Sequence, residues 1–169
     1  MSLFAILADS RFDFSDAYII STGCAGSAVE YGVMGDVFVI TAAIDFDLGH
    51  HADARDLADQ TATTWYHDES YDSSSCKILN ADLMDRVYDL VKDVKIETTE
   101  KTRNFMSVTF DGAEWAVRDP QVLRGTTVTG DNYWKGMHDH ENALLMTETY
   151  QCPDPFALTE MEDAALAVV

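Results

Sequence analysis

The chain has 169 residues, of which 47% are hydrophobic, so its size and composition are about those of one globular domain. Its 30 acidic and 11 basic residues give a net charge of −19, which repels polyanions and makes nucleic acid a poor partner. Three cysteines without C-x-x-C spacing argue against a disulfide framework or a structural zinc site, and they favour a cytoplasmic location. No apolar run reaches the roughly 18 to 20 residues of a membrane span, so we expect none.

Two apolar segments in the first third of the chain predict strands. Residues 17–22 (AYIIST) have the pattern of a buried strand that ends in a tight turn at residues 23–26 (GCAG). Residues 37–44 (VFVITAAI) predict a second strand that is covered on both faces. The connection between them is too short for a helical crossover, so we expect an antiparallel or bulged pair.

Residues 48–75 are polar and irregular, which predicts a long loop or lid. A dense set of possible metal ligands lies at its start, namely Asp45, Asp47, His50, His51 and Asp53. Their spacing fits no recognised metal site, and the same holds for His138, Asp139 and His140. We therefore expect no bound metal.

The second half of the chain predicts further helices and strands. Apolar residues from Leu79 to Val94 recur at helical spacing, which indicates a helix that faces the core, with Asn80 as its N-cap. Strands are predicted at residues 105–110 and 122–129, with a turn at Asp111 and Gly112. A helix at residues 140–150, a short apolar segment at residues 156–158 and a helix at residues 160–169 complete the prediction.

Three features are candidates for ligand binding. A glycine segment at a strand end lets backbone N–H groups approach an anion or sugar, although the pattern taken alone favours a plain turn. Thr159 and Glu162 form a capping box, but the Glu162 carboxylate is also suited to accept hydrogen bonds from both hydroxyls of a ribose. Tyr133 and Trp134 follow the strand predicted at residues 122–129 and offer aromatic faces on which a flat base can stack.

Four segments together resemble the nucleoside phosphorylase and nucleosidase superfamily. Residues 21–26 (STGCAG), 35–40 (GDVFVI), 129–131 (TGD) with Tyr133, and 160–165 (EMEDAA) resemble, in order, its glycine turn, its G-D-V-V-I strand, its base-stacking segment and its M-E motif. Within it, residues 11–15 (RFDFS), 53–57 (DARDL) and 161–163 (MED) resemble the purine nucleoside permease family.

The resemblance implies an α/β fold with a mixed twisted sheet flanked by helices, and a purine nucleoside as ligand. It places Met161 and Glu162 at the ribose and Tyr133 near the base. The residues under the sugar or the attacking nucleophile are Thr22, Gly23, Cys24, Ala25 and Gly26. The implied chemistry is cleavage of the N-ribosidic bond, with Glu162 as the catalytic carboxylate. Binding without chemistry, linked to nucleoside uptake, is the alternative, and relatives suggest a homo-oligomer.

Three departures from the superfamily pattern limit the catalytic prediction. Only ten residues precede the matched region, so we expect the first strand of the superfamily to be absent. The chain stops at Val169, before the strand that carries the aspartate acting as general acid. Ser21 and Thr22 stand where phosphorolytic relatives have an arginine for phosphate, and Cys24 stands where hydrolytic relatives have serine. We therefore expect one domain that is truncated at both ends, and no cofactor. Hydrolysis or binding is expected in preference to phosphorolysis, in which phosphate would be the co-substrate.

Overall fold

The computed structural model describes residues 3–59 and 62–167 and contains two β-sheets and six α-helices in these ranges. The strands are β1 (Gly26–Ser27), β2 (Val37–Asp45), β3 (His50–His51), β4 (Trp65–Tyr66), β5 (Cys76–Ile78), β6 (Val122–Thr129) and β7 (Phe156–Thr159). The helices are α1 (Leu3–Leu7), α2 (Asp72–Ser75), α3 (Ala81–Val91), α4 (Glu100–Thr109), α5 (Met137–Thr149) and α6 (Asp163–Leu166). Short 3₁₀ helices occupy Ala54–Asp56, Glu69–Tyr71 and Glu114–Val117.

The main sheet has five strands in the order β1-β7-β6-β2-β5. Strand β6 runs parallel to β2 and to β7, whereas β5 and β1 are antiparallel to their neighbours β2 and β7. The carboxyl ends of β2, β6 and β7 therefore lie at the same edge of the sheet. The predicted mixed sheet flanked by helices is confirmed in this form.

Strands β2 and β6 form the centre of the core. Ile44 and Val128 are fully buried, and they pair across the ladder between the two strands. Met146 of α5 and Phe156 of β7 belong to the same apolar cluster. The strands predicted at residues 37–44 and 122–129 are both confirmed, and for residues 37–44 burial on both faces accounts for the nearly continuous apolar sequence.

The predicted first strand is wrong. Residues 17–25 form neither helix nor strand, and Tyr18 and Ile20 are largely exposed. The tight turn predicted at residues 23–26 is wrong as well, because residues 23–25 are coil without a turn and Gly26 is the first residue of β1. The strand that follows, β1, pairs with β7 and not with β2, so the expected antiparallel or bulged pair does not form.

Helix α3 forms where the apolar spacing predicts it. Asn80 is its N-cap, and the Asn80 side chain accepts a hydrogen bond from the backbone N–H of Leu83 at 2.9 Å. The predicted position of its apolar stripe in the core is wrong, because no residue of α3 is fully buried and Leu90 is 82% exposed. The helix contacts β2 and β6, which covers only part of the stripe.

The strand predicted at residues 105–110 is also wrong, because this segment belongs to helix α4. Thr99 caps the helix by accepting a hydrogen bond from the backbone N–H of Thr102 at 3.1 Å. The helix ends in the predicted turn, where Asp111 and Gly112 both have positive φ and the Gly112 N–H donates to the Ser107 carbonyl. Of the helix residues, Met106 is buried.

The predicted loop at residues 48–75 is partly ordered by short elements. Within its described residues it contains β3, β4, α2 and two 3₁₀ helices, and residues 60–61 lie outside the described part. Asn142 of α5 anchors it, because the Asn142 amide oxygen accepts the backbone N–H groups of Thr64 and Trp65 at 2.9 and 3.0 Å. The helix predicted at residues 140–150 is confirmed as α5.

Candidate functional site

A cleft of about 770 Å³ opens between the coil at residues 21–25, the start of β2, helix α4 and the carboxyl end of β7. A volume of about 300 to 1,000 Å³ is typical of sites for small organic ligands. The cleft is therefore large enough for a molecule of the size of a nucleoside.

Pairing of β1 with β7 brings the two halves of the predicted site together. Gly26 lies opposite Thr159, and a Cβ at Gly26 would come within 3.2 Å of the Thr159 methyl group. Five residues before Gly26, the Ser21 hydroxyl donates a hydrogen bond to the Asp163 carboxylate at 3.2 Å. The coil thus reaches α6, although 142 residues separate Ser21 and Asp163 in sequence.

Three acidic residues, Glu160, Glu162 and Asp163, line one end of this cleft, which we call its acidic end, and Glu160 has the most hydrogen bonds of the three. One carboxylate oxygen accepts hydrogen bonds from the buried hydroxyls of Thr127, at 3.0 Å, and Thr129. The other oxygen accepts the backbone N–H groups of Glu162 and Asp163, at 2.5 and 2.8 Å. These two N–H groups belong to the start of α6, so Glu160 supplies the negative charge that stabilises a helix N-terminus.

The predicted capping box of Thr159 and Glu162 is wrong. Thr159 is the last residue of β7, and α6 begins later, at Asp163, with Glu162 as its N-cap residue. The Glu162 side chain makes no cap hydrogen bond, and from residues 3–59 and 62–167 it accepts only the backbone N–H of Met161, at 3.2 Å. Its exposed carboxylate lines the cleft and retains acceptor capacity for a ligand. The predicted helix 160–169 is shorter than expected, and residues 168–169 lie outside the described part.

Asp163 is the third carboxyl group at this end. Burial raises the pKa of Asp163, and the neighbouring charges of Glu160 and Glu162 add to this effect, while the hydrogen bond from Ser21 opposes it. Asp163 therefore keeps a proton at a higher pH than an ordinary aspartate does. It lines the cleft together with Glu162.

Apolar and aromatic side chains form the remainder of the cleft wall. Phe38 belongs to β2, Phe105 to α4, and Phe110 is the residue that caps the C-terminus of α4. Phe105 is 55% exposed, so one side of its ring is available to a ligand. Aromatic faces of this kind can bind a planar base.

The structure places some of the predicted site residues in the cleft and others outside it. Thr22, Gly23, Cys24, Ala25 and Glu162 line the cleft. Gly26 and Met161 do not line it but are direct chain neighbours of residues that do.

Tyr133 is 95% exposed and lies outside the cleft lining. The adjacent Trp134 is partly buried against the core, and its ring stacks on Phe46 with a centroid distance of 4.7 Å. The role predicted for Tyr133 at a base stays a prediction.

Sequence reasoning did not find Glu160, Asp163 or Asp36 as members of this cleft. Glu160 and Asp163 flank the motif that was found, and the alternating Thr127 and Thr129 on β6 are the signal that a buried acceptor lies nearby. Asp36 lines the opposite end, where its side chain is 1% exposed and is bound by Arg118. The long sequence separation between Asp36 and Arg118 leaves no local signal for this pair.

The clustered acidic and histidine residues after β2 have separate partners. The His50 ring contacts the Asp68 carboxylate at 3.2 Å, and the His51 ring contacts the Phe46 carbonyl at 2.8 Å. Asp53 accepts hydrogen bonds from the Arg55 backbone and guanidinium, both at 2.9 Å. In the described parts of the chain, no group of three or more such side chains is arranged to hold a metal ion.

The fold and the cleft define a mixed α/β protein with a ligand-sized site near the carboxyl end of a sheet strand. The sequence profile of the purine nucleoside permease family matches residues 1–169, so the chain belongs to this family. A probable purine nucleoside permease of Schizosaccharomyces pombe is 27% identical over 182 residues, which cover 97% of this chain and 52% of the relative. The chain thus spans about half the length of the curated relative that it matches.

No solved structure matches this chain. In residues 3–59 and 62–167, no helix is long and apolar enough to cross a membrane.

Proposed function

We propose that this chain binds a purine nucleoside in the cleft, with the ribose at Glu162 and the base against the aromatic wall. The observation that carries the proposal is the exposed carboxylate of Glu162, which lines a cleft of suitable volume together with the coil at residues 21–25 and has acceptor capacity left beside its bond to the Met161 N–H. The family name and the resemblance of four motifs to nucleoside phosphorylases and nucleosidases support the same class of ligand. An evolutionary and structural relation to that superfamily is part of the proposal.

The two glutamates of the M-E segment differ in what they can offer a ligand. Both oxygens of Glu160 already accept hydrogen bonds from the protein, four in all. Glu162 accepts one, from its own chain neighbour. A carboxylate with free lone pairs can accept hydrogen bonds from two adjacent hydroxyls, so we assign the ribose to Glu162.

The charge of the cleft favours a nucleoside over a nucleotide. Among the described residues that line it there is no lysine, arginine or histidine, whereas four are carboxylates, namely Asp36, Glu160, Glu162 and Asp163. A phosphate group would be repelled by the end of the cleft at which Glu160, Glu162 and Asp163 lie together. We therefore propose that phosphate is not a co-substrate.

Cleavage of the N-ribosidic bond is a second candidate function, and Asp163 is the observation that favours it. Such cleavage requires a proton donor for the leaving base, and burial raises the pKa of Asp163 within the same cleft. Water would be the attacking group, and Glu162 would stabilise the positive charge that develops on the sugar. Capture of the nucleoside for uptake, without chemistry, is the alternative.

Calorimetric titration with adenosine, inosine and guanosine tests the binding proposal, with AMP as the charged comparison. We expect a purine nucleoside to bind and AMP to bind at least tenfold more weakly. Glu162→Gln should weaken nucleoside binding about tenfold, because a charge-assisted hydrogen bond is worth about 1.5 kcal/mol or more. Glu97→Gln is the matched control, since Glu97 is exposed and lies outside the cleft. Equal losses in both variants would contradict the proposal.

Chromatographic detection of free base, with and without phosphate, separates cleavage from capture. If the chain cleaves nucleosides, base release should not depend on phosphate and should fall in Asp163→Asn. Binding without any base release would exclude cleavage by this chain and leave the uptake function.

A further inference from the structure

Two of the three cysteines face each other far from the cleft. The sulfur atoms of Cys76 and Cys152 lie 3.6 Å apart, although 76 residues separate them in sequence. Cys76 is the first residue of β5, where it pairs with Ile44 of the central strand β2. Cys152 follows α5, and its backbone N–H donates to the Thr147 carbonyl of that helix at 3.1 Å. A strand pairing therefore fixes the Cys76 backbone, and a hydrogen bond to the end of α5 fixes that of Cys152.

We propose that Cys76 and Cys152 form a reversible disulfide that fastens the edge strand β5 to the loop between α5 and β7. Both thiols are free and half-buried against the main apolar cluster. A sulfur separation of 3.6 Å means that only about 1.5 Å of approach is needed to reach bonding distance. The proposal is independent of the ligand assigned to the cleft, because neither cysteine lines it.

The two thiols of the pair differ in their surroundings. The hydrogen bond between the two sulfurs lowers the pKa of Cys152, and the same contact, followed by burial, raises the pKa of Cys76. Cys152 lines a surface groove of about 380 Å³ with Gln151 and Pro153, and Cys76 does not, so we assign the attack on a small oxidant to Cys152. The thiolate is the form that attacks a disulfide.

The oxidant is a low-molecular-weight disulfide. The Cys152 thiolate attacks one of its sulfurs, forms a mixed disulfide and releases the first small thiolate, which takes up a proton. The Cys76 thiol then loses its proton and attacks Cys152 Sγ, and the second small thiol leaves. The protein loses two hydrogen atoms in total, and the small disulfide is reduced to two thiols.

Intact-mass measurement of a Cys24→Ser variant tests the proposal, because Cys24 is the exposed third thiol and its removal leaves only the pair. Treatment with oxidised glutathione should lower the mass by about 2 Da and remove all free thiol. The melting temperature should rise by about 5 to 10 °C, because closing a loop of this length restrains the unfolded chain. Dithiothreitol should reverse both changes.

The double variant Cys24→Ser, Cys152→Ser is the matched control. It should show neither the mass loss nor the gain in melting temperature. The proposal is overturned if the Cys24→Ser variant keeps both thiols free, carries two glutathione adducts or forms a disulfide-linked dimer.

Discussion

The carboxylates at the two ends of the cleft differ in the groups that compensate their negative charge. At the end formed by the start of β2, the buried Asp36 carboxylate accepts the backbone N–H groups of Val33 and Gln121, both at 2.7 Å, and is paired with Arg118. At the other end, Glu160, Glu162 and Asp163 lie together, and the groups that bind them in the described chain are hydroxyls and backbone N–H groups.

This difference separates a structural carboxylate from candidate binding carboxylates. Asp36 has a cation and two backbone donors, so its charge is compensated within the protein. In the described parts of the chain, the carboxylates of Glu160 and Asp163 are bound by neutral hydroxyl and backbone N–H groups, and Glu162 retains acceptor sites for a ligand. A ligand that brings hydroxyl groups and no negative charge therefore fits the second end and not the first.

Replacement of the compensated carboxylate should have the largest effect. Asp36→Ala should lower the free energy of unfolding by about 3 to 5 kcal/mol, because it removes one partner of a buried ion pair and leaves two backbone donors unsatisfied. Urea denaturation measures this loss. Asp85→Ala is the control, because the Asp85 side chain is 58% exposed and its pair with Arg124 should contribute less than about 1 kcal/mol. Similar losses in both variants would show that Asp36 is not a structural anchor.

A smaller loss is expected for the carboxylate that organises α6. Glu160→Gln should lower the free energy of unfolding by about 1 to 2 kcal/mol, since an amide oxygen replaces a charged acceptor at the helix start and its NH₂ group cannot accept the remaining donors. Glu162→Gln should change it by less than about 0.5 kcal/mol, because its side chain is exposed. Thermal unfolding of the two variants provides the measurement. The reverse order would mean that Glu162 and not Glu160 stabilises the start of α6.

The parts of the fold that sequence could predict are those in which local and global signals agree. The second halves of strands β2 and β6 are buried on both faces, and the Asn80 cap is a local interaction within one turn. Residues 17–22 have an equally strong strand composition but lack a strand partner and stay exposed. Strand propensity alone does not make a strand, because the backbone needs a neighbour with which to pair.

Helix α4 shows a second limit of prediction. Residues 105–110 (FMSVTF) have a composition that fits a strand. The Thr99 cap and the burial of Met106 against Val33 and Ala116 instead stabilise a helix that continues to Thr109. The Thr99 cap is local in sequence but was not predicted, and the packing partners come from distant segments. Local preference was ambiguous there, and tertiary contacts decided the outcome.

The sequence predicted some of the residues that line the cleft but not the hydrogen bonds among them, and Gly26, Tyr133 and Met161 lie outside the cleft lining. The motif pointed to Glu162 and to residues 22–25, and both line one cleft. The capping box assigned the helix cap to the wrong glutamate, because β7 continues through Thr159 and delays the start of α6. The ladder between β1 and β7, which sets this register, is a contact between the two ends of the chain that no local pattern reveals.

The smallest expected effect concerns the pH dependence of stability at the acidic end. Because the pKa of Asp163 is raised in the folded state, its ionisation is less favourable there than in the unfolded chain. The contribution of Asp163 to stability is therefore best below its unfolded pKa of about 3.9 and declines as pH rises through the folded value. Asp163→Asn lacks this titration, so the stability of the wild type relative to the variant should fall from pH 4 to pH 7.

The fall should be less than about 1 kcal/mol, since solvent screens a half-exposed carboxyl group. Urea denaturation of both proteins at a series of pH values measures it. Burial is the first cause of the shift and the charges of Glu160 and Glu162 come second, so high salt should reduce the pH dependence without removing it. A relative stability that rises with pH would show that the Ser21 hydrogen bond outweighs burial and that the folded protein favours the charged form of Asp163.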